Sequence, residues 1–469
     1  MTGSFTSHAA ARPRGLLITV CCISLVTIWL CRLPKMCLYG ENMALVPAVA
    51  THTPPPAPPP RAIDTGMSPP VRPTVDLSKA DAPFISWPLQ RVCHESTTWT
   101  PGVVFVCDNN SGGIGNIRNY ILTCIRYAID AGATGLVLPQ IRTRSEENLS
   151  NIMLAYRGFD YFFDEQHFRR SLLGACPQFT LYDSTDDIPN APDPFKAEQI
   201  TPRNFGRRGG CDKRELNKHT GRFDKQFWSY INDTAAEFDR PPPSVLHPRI
   251  IRFTWGVQWD WPVFRDGPEF VASYGGLLRF RSDILALGKR AAGYMRTFSS
   301  LSGGDGAYAG MHLRTESDAL SRWPKFPEQR DAYLQHARAM KFKAAYLATG
   351  NKTEALKLTR AADEENDMAV ITKHDLLLEH PDDLEALQKL TWDQQALIDF
   401  IVLLECDYFL GVSPSSFSMN LAGKRHLKEG GLYTRPWRIG GDGDGRSWLV
   451  GRYENYWEDW LFMFESLWP

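Results

Sequence analysis

The sequence predicts an α/β protein of two lobes, each built on a parallel sheet, facing one another across a cleft. Three observations predict it. The chain has 469 residues, and a single core stops growing near ~250–300 residues. From Val103 to Leu138 an apolar run, a glycine-rich corner, an amphipathic stretch and a second apolar run follow in turn, the order of a βαβ unit. A second alternating series runs from Ala307 to Lys424.

Residues 1–14 read as a cytoplasmic tail. Gly15 to Cys31 carry no charge, and a bilayer span needs ~20 apolar residues, with a lower limit near ~17. The first small-residue cleavage pattern, Ala48-Val49-Ala50, lies far downstream. Residues 15–31 are therefore expected to be an uncleaved signal-anchor rather than a signal peptide. Arg12 and Arg14 before it balance Arg32 and Lys35 after it, so flanking charge does not orient it. The long remainder is placed in a lumen, giving a single-pass type II protein. Residues 32–84 are expected to form a disordered stem. Ten prolines fall between Pro47 and Val75, and such a stretch prefers extended polyproline geometry.

The N-terminal lobe is expected over 85–270. A strand is predicted at Val103–Cys107, a helix at Ile117–Ala131 and a strand at Gly135–Leu138. The stretch 189–248 shows few clear elements and reads as loops. The C-terminal lobe is expected over 271–469, with the junction between Pro262 and Leu278. Its predicted strands are Ala307–Leu313, Ala344–Ala348, Met368–Thr372 and Tyr408–Gly411. Its predicted helices are Lys352–Ala362, Trp392–Glu405 and Ser416–Lys424.

Bulk chemistry excludes several classes. The formal charge is −1 and the pI about 6.8, so no basic field points to nucleic acid. Ten cysteines form no C-x-x-C pair, which argues against zinc and thioredoxin chemistry. Cys93, Cys107, Cys124, Cys176, Cys211 and Cys406 are available for disulfides in an oxidising lumen, with the pairing left open. Sequons stand at Asn109, Asn148, Asn232 and Asn351. No Glu-x-x-His pair of the di-iron kind is present.

Four polar loops follow predicted strands. Gly112 to Asn116 form a glycine corner ahead of a helix. "HLRTESD" puts His312 and Arg314 at a strand end, with Glu316 and Asp318 beyond them. Residues two apart on a strand share a side, and a guanidinium suits phosphate oxygens. "YLATGNKTE" puts Thr349 at another strand end. "GVSPSSFSMN" starts a helix at Ser415 or Ser416, where free amides bind anions or a hydroxyl merely caps the helix. Strand-end loops of open α/β sheets line ligand crevices, so the four are expected to meet around a nucleotide diphosphate.

The set "GGIGN.R", "HLR.ESD", "YLATG" and "SPSSFS" resembles the GDP-fucose protein O-fucosyltransferases, over roughly Val103 to Lys424. The resemblance implies a GT-B fold of two Rossmann-like lobes and a glycosyltransferase with GDP-fucose as donor. It implies that Arg314 contacts the diphosphate, with His312 supporting that loop. Gly113, Gly115 and Asn116 would lie by the sugar, and Ser415, Ser416 and Phe417 by the phosphates and nucleotide. Thr349 and Asp393 would lie near the nucleotide. Glu316 and Asp318, and more weakly Asp108, are the candidate bases, because the glutamate that some members carry in the first corner is missing here. Inversion is expected. No metal is expected, and Asp442-Gly443-Asp444 inside "GGDGDG" reads as a loop. The acceptor is a protein hydroxyl or a glycan. Trp255, Trp259, Trp261 and Trp323 are candidates for an acceptor wall or for core. The anchor, stem and luminal body resemble a Golgi or ER enzyme. A transferase of another nucleotide sugar and a silent nucleotide-sugar-binding protein remain as alternatives.

Overall fold

The computed structural model describes residues 75–469 except 97, 193–197, 201–222, 255–259, 320–322, 431–437 and 452–460. The predicted tail, anchor and most of the stem lie outside these residues, as do Trp255, Trp259 and Cys211. Among the described residues no helix is long and apolar enough to cross a membrane.

The first half runs α1 (Trp87–Glu95), β1 (Thr100–Val106), α2 (Ile114–Asp130), β2 (Ala133–Val137) and a short antiparallel pair, β3 (Ile141–Arg142) and β4 (Tyr156–Arg157). It continues with α3 (Glu165–Ala175), β5 (Thr180–Tyr182), β6 (Glu198–Ile200), α4 (Phe223–Glu237), β7 (Arg249–Phe253) and α5 (Pro268–Tyr274). The second half runs α6 (Ser282–Leu301), β8 (Ala309–His312), α7 (Phe326–Ala339), β9 (Ala344–Ala348), α8 (Lys352–Asn366) and β10 (Ala369–Ile371). It closes with α9 (Lys373–Leu376), α10 (Pro381–Gln388), α11 (Trp392–Glu405), β11 (Tyr408–Val412), α12 (Ser416–Gly430) and β12 (Ser447–Val450).

Each half holds a five-stranded sheet, ordered β5-β2-β1-β7-β6 and β10-β9-β8-β11-β12. Every pairing in both is parallel. The strand order therefore reverses beside β1 in the first sheet and between β8 and β11 in the second. Open α/β sheets bind ligands at such switch points, outside the carboxyl ends of the strands.

The sheets are covered on both faces, as parallel sheets must be. Val103 and Phe105 face one apolar cluster while Val104 and Val106 face another, the period-two alternation of a strand. The first cluster does not stop at the lobe boundary. It runs from Phe105 through Ile121 on α2 to Leu397 and Ile401 on α11. Length pointed to two separate cores. The structure instead joins them through helices that are apolar on more than one side, with α2 and α11 buried along most of their length.

Three expectations need correction. Residues 189–248 are not only loop: α4 buries Phe223, Phe227 and Ile231 at a spacing of four, and β6 joins the edge of the first sheet. Residues 75–84 are not loose stem, because Leu77, Ala80 and Phe84 pack on the core. α5, Pro268–Tyr274, runs across the expected 270/271 boundary, so that boundary falls inside a helix.

Two disulfides form, Cys93–Cys176 and Cys107–Cys124. The second ties the end of β1 to α2 and closes a loop around the glycine corner. By the loop-entropy model a ring of this size contributes about 3 kcal/mol. Cys406 is buried and unpaired. Of the sequons, Asn109 is half-buried with its amide on the Phe253 carbonyl at 3.3 Å, and Asn351 caps α8. Asn148 and Asn232 are exposed.

Candidate functional site

The glycine corner begins where β1 ends. Gly112 has φ +90°, a region that favours glycine. α2 starts after Gly113, with no side chain capping it, so its first amides have no partner within the helix. Gly113 meets open space where a Cβ would be, and Asn116 is half-exposed. Gly115 is different. A Cβ there would lie 2.6 Å from the Ser416 carbonyl oxygen and 3.0 Å from the Phe417 nitrogen. The start of α2 in one lobe thus abuts the start of α12 in the other.

Ser415 is buried, while Ser416 and Phe417 are half-buried. His312, the last residue of β8, stands directly against this corner. Its ring lies 4.6 Å from that of Phe417, and its Nδ1 shares a 2.7 Å hydrogen bond with Ser418 Oγ. Ser418 Oγ also accepts from the Val412 amide at 3.0 Å. That hydroxyl faces inward, toward structure rather than ligand. Burial pushes the His312 imidazole down to about 4, so the ring is neutral at pH 7.

Arg314 follows two residues on. Its guanidinium donates to Glu316 at 2.5 Å and to Asp318 at 2.8 Å. The loop is pinned by Gln329, fully buried on α7, which accepts from the Arg314 amide and donates to the Arg314 and Pro324 carbonyls. Burial alone would raise the Glu316 carboxyl. The Arg314 charge and the Gly350 amide instead hold it below its ordinary range. Burial opposes the Arg314 charge, and its two carboxylates raise its pKa against that. Thr349 Oγ1 lies 3.4 Å from Glu316 Oε1.

A residue of the first lobe completes this cluster. Arg144, beyond β3, donates to Asp318 at 2.8 Å. Asp318 therefore holds one guanidinium from each lobe. The Arg144 amide donates to Asp393 Oδ2 at 3.0 Å. Burial pushes the Asp393 carboxyl up to about 6, despite the Arg144 amide and charge. Glu146 accepts from the Trp392 amide at 2.7 Å, a favourable place for an acid at the start of α11.

Nine of the sequence-picked positions thus fall into two adjoining groups, with Gly113, Asn116 and Ser415 flanking the first in sequence. Gly115, Ser416, Phe417 and His312 form one. Arg314, Glu316, Asp318, Thr349 and Asp393 form the other, and the loop after β8 belongs to both. Arg144 and Gln329 are the residues that sequence reading missed. A buried glutamine carries no motif, and Arg144 acquires its role only when the lobes meet. Asp108 pairs with Arg252 at 2.8 Å. Trp261 is fully buried in the first-lobe core, stacked by Arg126 and Arg265, so it is no acceptor wall. Trp323 is half-buried, with the Arg314 guanidinium 5.6 Å over its ring.

Several buried polar atoms on these loops have no hydrogen-bond partner: Ser111 Oγ after β1, Thr315 Oγ1 and Trp323 Nε1 after β8, and Ser413 Oγ after β11. Such orphans are costly, about 1–3 kcal/mol each, and they gather on the loops at the two switch points. Asp442 is exposed, and Asp444 spends both oxygens on the Gly440 and Arg446 amides. Among the described residues no three His, Cys, Asp or Glu side chains converge as a cation site.

The family model described as GDP-fucose protein O-fucosyltransferase matches residues 104–428. Among solved structures the chain is similar to POFUT1 in complex with GDP-fucose, at 12% identity and TM-score 0.43, covering 76% of this chain and 99% of that one. It is similar to the fucosyltransferase NodZ from Bradyrhizobium, at 15% identity and TM-score 0.36, covering 70% and 93%. It is also similar to Arabidopsis thaliana FUT1 in complex with GDP, at 13% identity and TM-score 0.36, covering 72% and 71%. No curated protein matches the chain.

Proposed function

The chain belongs to the GDP-fucose protein O-fucosyltransferase family, and from that premise we propose that it moves fucose from GDP-fucose to a Ser or Thr hydroxyl of a protein, with inversion and without a metal ion. The observation that carries the site assignment is the meeting of the two switch points. Gly115 abuts Ser416 and Phe417, while His312 and Arg314 stand beside them on the loop after β8.

Loss of GDP leaves growing negative charge on a phosphate oxygen. Arg314 is the catalytic cation for that charge, and the unpaired amides at the starts of α2 and α12 are the neutral donors. Groups fixed before the reaction stabilise the transition state more than the ground state. Glu316 and Asp318 are the clamp that fixes Arg314: each takes one guanidinium N–H, and the remaining N–H groups stay available for the diphosphate. Because both carboxylates are engaged by Arg314, neither is well placed as a strong base. A dissociative path with little base assistance fits this arrangement. Gly113 and Asn116 border the sugar, and Ser415, Ser416, Phe417, Thr349 and Asp393 border the nucleotide.

The two disulfides favour an oxidising compartment. We place the body in the Golgi or ER lumen, held by residues 15–31 as a type II anchor, with lobes of 85–270 and 271–469. Two measurements test the function. GDP raises the melting temperature of the purified chain by mass action, and UDP and ADP do not. Arg314→Ala still melts cooperatively, at a lower temperature because Glu316 and Asp318 lose their cation, and loses GDP release from GDP-fucose by about 100-fold or more at temperatures where it is folded. Normal turnover in that variant removes Arg314 from the mechanism.

A further inference from the structure

Between α2, α12, the segment ahead of α1 and the residues after α5 lies a cavity of about 30 Å³. Lys79, Arg118, Arg279 and Lys424 line it, together with Ser273 and Gly275. Among the described residues none of those lining it is acidic. Arg118 is 3% exposed. It donates to Asn420 Oδ1 at 2.8 Å and to the Gly275 carbonyl at 3.1 Å. Lys424 donates to the Leu77 carbonyl at 3.0 Å. All three acceptors are neutral, so these hydrogen bonds supply no counter-charge.

Lys79 pairs with Glu405 and Asp81 with Lys289. Asp76 accepts from the neutral amide and hydroxyl of Ser78. Asp76 and Asp81 act on Lys424 from outside the cavity lining and partly offset the effect of Arg118 on it. Arg118 is buried and Lys424 half-buried, on two helices of opposite lobes that line one cavity, and a buried cation needs a counter-charge. Burial pushes the Arg118 guanidinium down to about 10. Burial and then the Arg118 charge push the Lys424 ammonium down to about 7. Both directions agree with the geometry.

We propose that this cavity binds one small inorganic anion, with halide as its probe, which bridges Arg118 on α2 and Lys424 on α12. The volume suits such an ion. A cavity needs roughly 10–15 Å³ of such space to hold one water-sized body, so a halide fits with room to spare. The anion cancels the repulsion between the two cations and fastens the same pair of helices whose first residues border the cleft. The site stands apart from the transferase reading and is tested without any turnover.

The test is a thermal melt of the full chain at constant ionic strength, with gluconate replaced stepwise by chloride or bromide. A saturable rise of roughly 2–4 °C at about 100 mM halide is expected. Lys424→Met abolishes that rise, and in gluconate it melts no lower than wild type. Crystals grown in bromide show an anomalous peak in contact with the Arg118 guanidinium and Lys424 Nζ. An identical halide response in wild type and Lys424→Met, or wild-type crystals with water and no bromide in the cavity, overturns the proposal. The crystal measurement uses wild type alone, so it decides the matter even if the variant fails to fold.

Discussion

Gly115→Ala is the most direct perturbation of the contact between the lobes. The new Cβ would sit 2.6 Å from the Ser416 oxygen, 2.7 Å from the Ser416 carbonyl carbon and 3.0 Å from the Phe417 nitrogen. All three are main-chain atoms, so no rotamer change relieves the clash. Overpacking of this kind costs about 1–3 kcal/mol. Alanine's better helix propensity returns at most about 1 kcal/mol. A net loss of about 1–2 kcal/mol lowers the melting temperature by roughly 2–4 °C in a chain of this size. The effect on turnover is larger, because the starts of α2 and α12 are forced apart at the proposed diphosphate site. A displacement approaching 1 Å can cost about 100-fold, so kcat/KM for GDP-fucose hydrolysis falls about 10- to 100-fold. Scanning fluorimetry and GDP release measure the two quantities. Adding Ser416→Gly does not rescue, since the clash is with backbone. A variant that melts higher than wild type and turns over normally refutes the close approach of the two helices.

Arg144→Ala and Asp318→Asn each lower kcat/KM about 10-fold, and the double variant is no worse than Asp318→Asn alone, because Arg144 acts on Arg314 through that carboxylate; additive losses in the cycle contradict this. Asp393 carries a pH signature. Its folded carboxyl is raised from 3.8 to about 6, so between those values the folded chain binds more protons than the unfolded chain, and stability falls as pH rises. Two pH units correspond to about 3 kcal/mol. Asp393→Asn therefore gains roughly 1–3 kcal/mol at pH 7.5 and nothing at pH 4 in urea midpoints, while weakening GDP binding; equal midpoints at pH 7.5 count against it. Turnover persists in excess EDTA, and loss restored by a divalent ion shows that a metal takes part.

The site was more legible than the fold around it. The loops at Gly112–Asn116, His312–Asp318 and Ser415–Ser418 each join a run of apolar strand residues to a helix start, and that contrast shows in a single sequence. α11 was read to its ends from its strongly apolar run Trp392–Glu405, and the structure starts it with a capping box of Thr391 and Gln394. β7 and β12 were missed. Both are short and their partners lie far away in sequence: β7 is paired with β1 and β6, and β12 with β11. α6 and α7 were missed for another reason. Their apolar residues are interleaved with polar ones that tertiary contacts bury or bond, as with Gln329. Arg144 and the shared core of α2, α11 and α12 became visible only once the lobes were brought together, since no local pattern encodes a partner in the other half.

The contact at Gly115 also limits how the crevice can admit a bulky donor. Main chain touches main chain there, with the Cys107–Cys124 link holding one side. Sliding at that point is sterically blocked, so widening has to be a rotation about it, like a door on its jamb. The far edge travels most, and the contacts that latch that edge include Asp318 between Arg144 and Arg314, the Arg144 amide on Asp393 and Glu146 on the Trp392 amide. On the proposed reading, entry of the nucleotide and the parting of Asp318 from Arg144 are then one motion rather than two, while Asp318 stays on Arg314.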